Sequence, residues 1–313
     1  MLQFVIRRVI SGIILVAVVS SATFFLAHLA IGDPTIGLLG SSATQDQMAS
    51  LAAKIGTDRP LIVQFFDWAG HAITGDFGDS WRNFQSVSSQ IGLKLPVTLS
   101  IVTFAILLTA LFGALLGIAT GLRPGTLVDR VLQWLSVILF ALPGFWVALV
   151  LVITFAVNLK WFPAVGYVQP TASVSGWLRS LALPGISLAL GAVVMVASQL
   201  RNALVETSQL DYVRTLRSRG LSNGRVTLHM VRNAAPTSLT VLALMFVGLL
   251  GGAVVVEQIF ALPGIGALTT ASSQNGDIPI LLGITVVTVA FVVVVNLVLD
   301  LLLGWINPKA RQS

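Results

Sequence analysis

Few side chains in this 313-residue sequence could do chemistry, and they are unevenly placed. Cysteine is absent and His28, His71 and His229 lie far apart. No thiolate nucleophile, disulfide framework or histidine-rich metal site is therefore expected. No Gly-x-x-x-x-Gly-Lys-Ser/Thr phosphate loop occurs, so ATP binding and hydrolysis by that route are not expected of this chain. Nor is there a His-Glu-x-x-His, a Ser–His pair or an aspartate pair in an apolar stretch, as an intramembrane enzyme would need. Polar residues gather instead between Arg201 and Asn233. Here Asp211, Tyr212, Arg214, Thr215, Arg217, Ser218 and Arg219 lead to Gly220, while Leu204, Leu210, Val213 and Leu216 recur at helical spacing. Gly220 is placed to end a helix in the left-handed conformation. Ser222 is placed to cap a second helix that carries Val226, Leu228 and Val231 onward. The segment reads as a helix–turn–helix facing an aqueous partner. An ordinary basic loop beside a membrane would match its charge but not its order of residues.

The elements that position this segment follow from composition. Hydrophobic residues make up 56% of the chain and charged ones 10%, with a mean hydropathy of +0.93. An ordinary soluble domain is about 25% charged, so a soluble enzyme, a disordered chain and a nucleic-acid binder are excluded. Six stretches are long and apolar enough to cross a membrane: Val9–Ile31, Leu95–Thr120, Val131–Val157, Leu181–Leu200, Ala234–Val256 and Ile278–Leu303. Backbone groups in lipid must pair internally, so the spans are helices and the class is all-α. Arg7 and Arg8 precede the first span as they would a signal peptide, but its apolar run is longer than a signal's, and it reads as a retained helix. Pro96 falls in the expected first turn of the second span. Pro143 and Gly144 fall inside the third, and Pro184 and Gly185 near the start of the fourth. These prolines are either hinges or irregularities of packing. Gly113, Gly117 and Gly121, and likewise Gly248, Gly251 and Gly252, suit close helix contacts, within the chain or with a second one.

Lys and Arg set the orientation. Both tails, the turn near Arg123 and the 201–233 loop carry 12 of the 18 basic residues, which places them in the cytoplasm. The 32–94 segment and the 158–180 and 257–277 loops then face outside. With turn signals at Gly32-Asp33-Pro34 and Asp58-Arg59-Pro60 and six aromatic residues, 32–94 reads as short helices packed on the outer ends of the spans. It is small for an independent domain. Among carboxylates in or beside the spans, Asp300 is placed to pair with Arg311 or a loop cation. Glu257 either supports an outer gate or docking surface together with Phe260, Pro263 and Gly264, or is a solvated interfacial group. His28 reads as a packed interfacial residue, and Met195, Met230 and Met245 as core filler.

At these residues the sequence resembles the membrane subunits of binding-protein-dependent ABC importers. Asp211-Tyr212-Val213-Arg214-Thr215, Arg217, Arg219-Gly220-Leu221, His229, Arg232-Asn233 and Pro236 are similar to the dipeptide/oligopeptide/nickel branch. Further landmarks are Gly32-Asp33-Pro34, Asp58-Arg59-Pro60-Leu61, Gly75-Asp76-Phe77-Gly78 with Ser80, Leu95-Pro96-Val97-Thr98-Leu99, Glu257-Gln258-Ile259-Phe260 and Pro263-Gly264-Ile265-Gly266. Their order resembles the B-type permease, which carries an external insertion after its first span. Departures occur at Leu216, Ser218 and Arg219, and at the Asn307-Pro308-Lys309-Ala310-Arg311 ending.

The resemblance implies a type I ABC importer permease fold with six transmembrane helices. Its parts would be a tail and first helix (1–31), an extracytoplasmic segment (32–94), a five-helix core (95–304) containing the 201–233 coupling loop, and a tail (305–313). It implies a non-catalytic subunit of a bacterial cytoplasmic membrane, with both termini cytoplasmic. The expected partners are a second, C-type permease in a heterodimer, two ABC ATPases that bind ATP and Mg, an extracytoplasmic binding protein and lipid, with no nucleic acid. No cofactor or metal is expected on the chain itself. Asp211, Tyr212, Arg214, Thr215, Arg217, Ser218, Arg219 and Gly220 would couple to the ATPase, the apolar face filling its groove and the arginines pairing with carboxylates. Short peptides are the expected cargo, favoured by the scarcity of metal ligands. The alternatives are nickel, a metal chelate, a glutathione-like compound, or an ATP-independent secondary transporter, for which inverted repeats and midplane charges are missing.

Overall fold

A computed structural model describes residues 2–40 and 43–306. The described residues are helical apart from turns, loops and one isolated bridge between Asp79 and Ser86. The helices are α1 (Leu2–Ile31), α2 (Pro34–Leu39), α3 (Gln45–Ile55), α4 (Leu61–Ala72), α5 (Val87–Gly121), α6 (Leu127–Ala141) and α7 (Gly144–Leu151). A π-helical turn, Val152–Asn158, extends α7. There follow α8 (Val174–Ser208), α9 (Asp211–Ser218), α10 (Asn223–Ile259), α11 (Ile265–Gln274) and α12 (Ile278–Ile306). Five are long and apolar enough to cross a membrane, six if the bent pair of α6 and α7 is counted as one span. The described residues thus have the all-α, polytopic architecture expected, with short helices α2–α4 after the first span.

Several boundaries differ from the expected ones. Helix α5 begins at Val87, so Pro96 lies well inside it rather than in the first turn. The third span breaks at Leu142, whose extended backbone fits a residue preceding proline, and its two parts meet at 105°. By contrast α8 runs through Pro184 without interruption, capped at its start by Ser173, whose hydroxyl accepts from Gly176 N–H at 3.1 Å. The second helix expected in the 201–233 segment and the fifth span are one element, α10.

The chain forms two compact units. One takes the described residues up to Pro96 with Pro263–Val294, and the other takes Val97–Leu262 with the described residues from Val295. In the first, Phe77, Val87, Ile91, Ile265, Ile280 and Ile284 form one apolar cluster, and Phe24, Ile278 and Leu282 another. In the second, α8 is central: 67% of its apolar window is buried, and it packs on α6, α7 and most extensively on α10. Lipid tails are as apolar as leucine, so such helices associate through close packing rather than escape from water. Gly113, Gly117 and Gly121 supply that approach, facing Val196, Leu200 and Leu204 of α8. Their contacts are thus within the chain. Gly248 and Gly251 meet nothing within 4 Å in this chain.

A Cβ at Gly117 would lie 2.8 Å from Leu200 Cβ and 2.9 Å from the Ala197 carbonyl oxygen. Gly117→Val is therefore expected to destabilise the purified chain by about 1–3 kcal/mol, the usual range for overpacking. Gly248→Ala should be neutral or gain up to about 1 kcal/mol of helix preference. Thermal unfolding in detergent compares the two, and an equal fall in Tm would refute the close-packing account.

Candidate functional site

The basic segment singled out in the sequence is built as a bracket between two long helices. Helix α8 extends past Arg201 to Ser208, turns at Gln209–Leu210, and gives way to α9. The helical pattern before Gly220 is therefore split in two. Helix α9 ends as the sequence predicts: Gly220 has φ of +75°, its N–H donates to Arg217 O at 2.9 Å, and Leu221 N–H donates to Leu216 O at 3.3 Å. That is a Schellman motif, closed by apolar residues at both ends. Ser222 occupies the N-cap position of α10, but its hydroxyl makes no capping hydrogen bond.

The apolar face of α9 turns inward. Val213 is buried with Leu200, Leu204, Val226, Met230 and Ala234, and Tyr212, Leu216 and Leu221 pack against this cluster. The face expected to fill a partner's groove is thus occupied by the chain's own helices, and only Leu210 of that set is exposed. Tyr212 is pinned from the other side, its phenol oxygen accepting from Asn233 Nδ2 at 3.1 Å. Thr215 and Ser218 hydroxyls donate back to the carbonyls of Asp211 and Arg214 at 3.1 and 3.0 Å. What remains outward is charge. Asp211, Arg214, Arg217 and Arg219 are exposed, and Asp211 and Arg214 approach only to 3.9 Å. At full exposure such a pair contributes little.

A residue that the sequence reading did not single out lies at the root of this bracket. Asp129, in the first turn of α6, receives Arg201 Nε at 2.5 Å, Arg201 Nη2 at 2.8 Å and Gly125 N–H at 2.8 Å. The aspartate side chain is 1% exposed and the arginine 19%. The two-pronged geometry fixes α6 to α8 about two turns before the end of α8. Thr126, whose hydroxyl caps α6, gives Asp129 the local signature of an ordinary helix-start carboxylate, and Arg201 that of an ordinary loop cation. Only their spatial meeting distinguishes them.

The second expected group divides between the units. Glu257 and Phe260 come together in one of them, both buried. Glu257 accepts from Thr98 Oγ1 at 2.5 Å, and Leu262 N–H donates to Glu257 O at 2.8 Å. Its complete burial excludes the solvated reading. Phe260 packs with Ile101, Leu181 and Leu183, and its carbonyl accepts from Gly166 N–H at 3.0 Å. Pro263, exposed, and Gly264, buried, belong to the other unit. In that unit Asp277, also not singled out in the sequence, receives Ser80 Oγ at 2.5 Å and Trp81 N–H at 3.1 Å.

His28 stacks on Phe24 and bonds to its carbonyl at 2.8 Å, consistent with packing. No cluster of three or more His, Cys, Asp or Glu that could hold a metal occurs among the described residues. Asp300 is half-buried in the last turns of α12, and its expected partner Arg311 lies outside the described residues.

Residues 113–312 match the family of binding-protein-dependent transport system inner membrane components, and residues 1–102 match that family's N-terminal component. A peptide transport system permease of Brucella abortus is 35% identical over 314 residues, covering 100% of both chains. A peptide ABC transporter permease of Sinorhizobium fredii is 32% identical, with 98% of this chain and 99% of the relative covered. The oligopeptide permease AppB of Bacillus subtilis is 31% identical, with 99% of each covered.

The Asp129–Arg201 pair makes a quantitative expectation. Asp129→Ala leaves a largely buried guanidinium without its carboxylate and should destabilise by about 3 kcal/mol, the low end for breaking a buried pair, because Arg201 keeps some access to water. The double variant Asp129→Leu/Arg201→Met removes both charges and should recover most of the loss. Denaturation of the three purified proteins measures this; a double variant as unstable as Asp129→Ala would show that the charge pairing is not what matters.

Proposed function

The chain belongs to the family of binding-protein-dependent transport system inner membrane components and is an inner-membrane permease of a peptide importer, and from that premise we propose how it is driven and what it carries. It works with a second, C-type permease as a heterodimer, forming a path for short peptides. An extracytoplasmic binding protein delivers the cargo, and two ABC ATPases, which bind ATP and Mg, supply the energy. Both termini and the 201–233 segment face the cytoplasm, as the distribution of Lys and Arg favours. The peptide relatives and the scarcity of metal-ligating side chains support peptide over nickel.

One observation carries the coupling role: α9 is fastened by its apolar face and presents Arg214, Arg217 and Arg219 outward. On this reading an ATPase grips the charged rim by pairing its own carboxylates with these guanidinium groups. Tyr212, Thr215 and Ser218 hold α9 in shape, and Gly220 sets the turn into α10. Because α9 is bolted to the ends of α8 and α10, displacement of α9 is passed to two long helices together. ATP-driven closure then rocks the spans between inward-facing and outward-facing states. Glu257, held by Thr98, and Phe260 support the outer end of α10. Pro263, exposed in the turn beyond, serves contact with the binding protein, and Gly264, buried, stands behind it at the start of α11.

Purification from the native membrane in mild detergent, with mass spectrometry of accompanying chains, tests the assembly. A second permease and P-loop ATPases are expected; the chain alone, transporting in liposomes without ATP, would overturn it. Within the assembly, Arg217→Glu should depress peptide uptake at least tenfold while leaving Tm unchanged, since the side chain is exposed. Gly220→Val forces a β-branched residue into the left-handed region, at about 1–2 kcal/mol, and should also impair uptake. Uptake and ATP hydrolysis measured side by side decide the matter, and undiminished transport in Arg217→Glu would remove the docking role.

A further inference from the structure

Helix α4 divides into three stripes. Phe65 and Trp68 pack on Phe24 of α1, with ring centroids 5.3 and 5.8 Å apart, and Phe65 stacks on Phe25 at 5.3 Å. Gln64, Asp67 and His71 form a polar stripe that lines a cavity of about 470 Å³ in the same unit. The third stripe is apolar and uncovered. Ile62, Phe66 and Ile73 follow one another at helical spacing and are 53%, 67% and 88% exposed. Ile73 continues the helix at its C-cap with helical dihedrals.

The height of α4 identifies what meets this stripe. Phe24 lies seven residues before the end of α1, about 10 Å down its axis at 1.5 Å per residue. Helix α4 is therefore held beside the last turns of an apolar span rather than beyond them. Phe25, Leu26 and Leu29 of α1 are exposed there, on an apolar span whose most apolar window is only 17% buried within the chain. Ring contacts run without a gap from Phe25 through Phe65 to Phe66, so the uncovered stripe of α4 continues that surface. We propose that α4 is an interfacial helix: Ile62, Phe66 and Ile73 sit among the acyl chains, and Gln64, Asp67 and His71 face water. A helix with opposed apolar and polar stripes lies in the plane of the interface, its apolar side buried by about 5–10 Å. It would fix the depth of the 32–94 segment and hold the mouth of its cavity at the membrane surface.

The absence of cysteine from the sequence makes the test direct. Single variants Ile62→Cys, Phe66→Cys, Ile73→Cys and Asp67→Cys carry a nitroxide label, with Leu29→Cys as the lipid reference and Asp46→Cys as the aqueous one. The chain is purified with the subunits that accompany it and reconstituted in phosphatidylethanolamine/phosphatidylglycerol liposomes. The cysteine-free parent gives the background from any partner thiol. Electron paramagnetic resonance then reads collisions with oxygen, which concentrates in lipid, and with a water-soluble nickel chelate. The first three variants should resemble Leu29→Cys, with an oxygen-to-nickel ratio several-fold above that of Asp67→Cys. A ratio like that of Asp46→Cys would overturn the proposal in favour of a water-exposed face. Immobilised labels shielded from both reagents would overturn it in favour of a protein partner. Where a larger replacement disturbs folding, Ala69→Cys on the same side gives the reading.

Discussion

A carboxylate withdrawn from water needs partners, and in this chain that requirement selects which segments meet. Asp129, Glu257 and Asp277 are all buried, and each is bonded to a segment far away in sequence: Arg201, Thr98 and Ser80 with Trp81. An apolar helix in lipid has many acceptable neighbours, because exchanging lipid for leucine changes little. A buried charge has few, because an unmatched one is penalised heavily. The carboxylates therefore supply selectivity that the apolar surface cannot, while tight packing supplies the contact area. Both devices occur along α5 and α8: glycines at one helical spacing admit Val196, Leu200 and Leu204, and Arg201, the next residue after Leu200, takes the carboxylate from α6.

That adjacency links packing to the segment that carries α9. Leu200 and Leu204 belong at once to the glycine contact and to the cluster that receives Val213 of α9. The end of α8, the start of α10 and the apolar face of α9 thus share one small core. A segment attached through flexible loops would dissipate a push from a partner. Here the turn at Gln209–Leu210 is two residues long, and the Schellman closure at Gly220 leads almost at once into the 37 residues of α10.

Hydropathy alone made the spans legible, because a long apolar run has one solution in lipid. Gly220 was legible too, since a glycine after a periodic run has a specific conformational use. What escaped was whatever depended on a neighbour. The continuation of α8 past Leu200 and the start of α5 at Val87 involve polar residues that favour a helix only once a span templates it. Pro184 does not interrupt α8, whereas Pro143 stands at a break, and nothing local separates the two. Periodicity showed that α9 has an apolar face but could not tell whether that face meets a partner or the chain itself. Asp129 and Asp277 each resemble a routine helix-start acid, and only distance in space reveals their bonds to Arg201 and Ser80.

The inward turn of that face bears on how a partner can hold α9. Apolar burial is non-directional and gives most of the strength in ordinary docking. With Val213 already buried and Leu216 half covered, little apolar area is left to offer. On the proposed reading the grip must come from charge and from the shape of a short, rigid helix. Exposed guanidinium groups orient an encounter and fix its register more than they add affinity. A contact of that kind stays responsive to the partner's own conformational state, because no large apolar surface has to be uncovered when the geometry changes. On the same reading the apolar face serves the complementary need, holding α9 to α8 and α10 so that a modest external contact would move the helices instead of detaching the bracket.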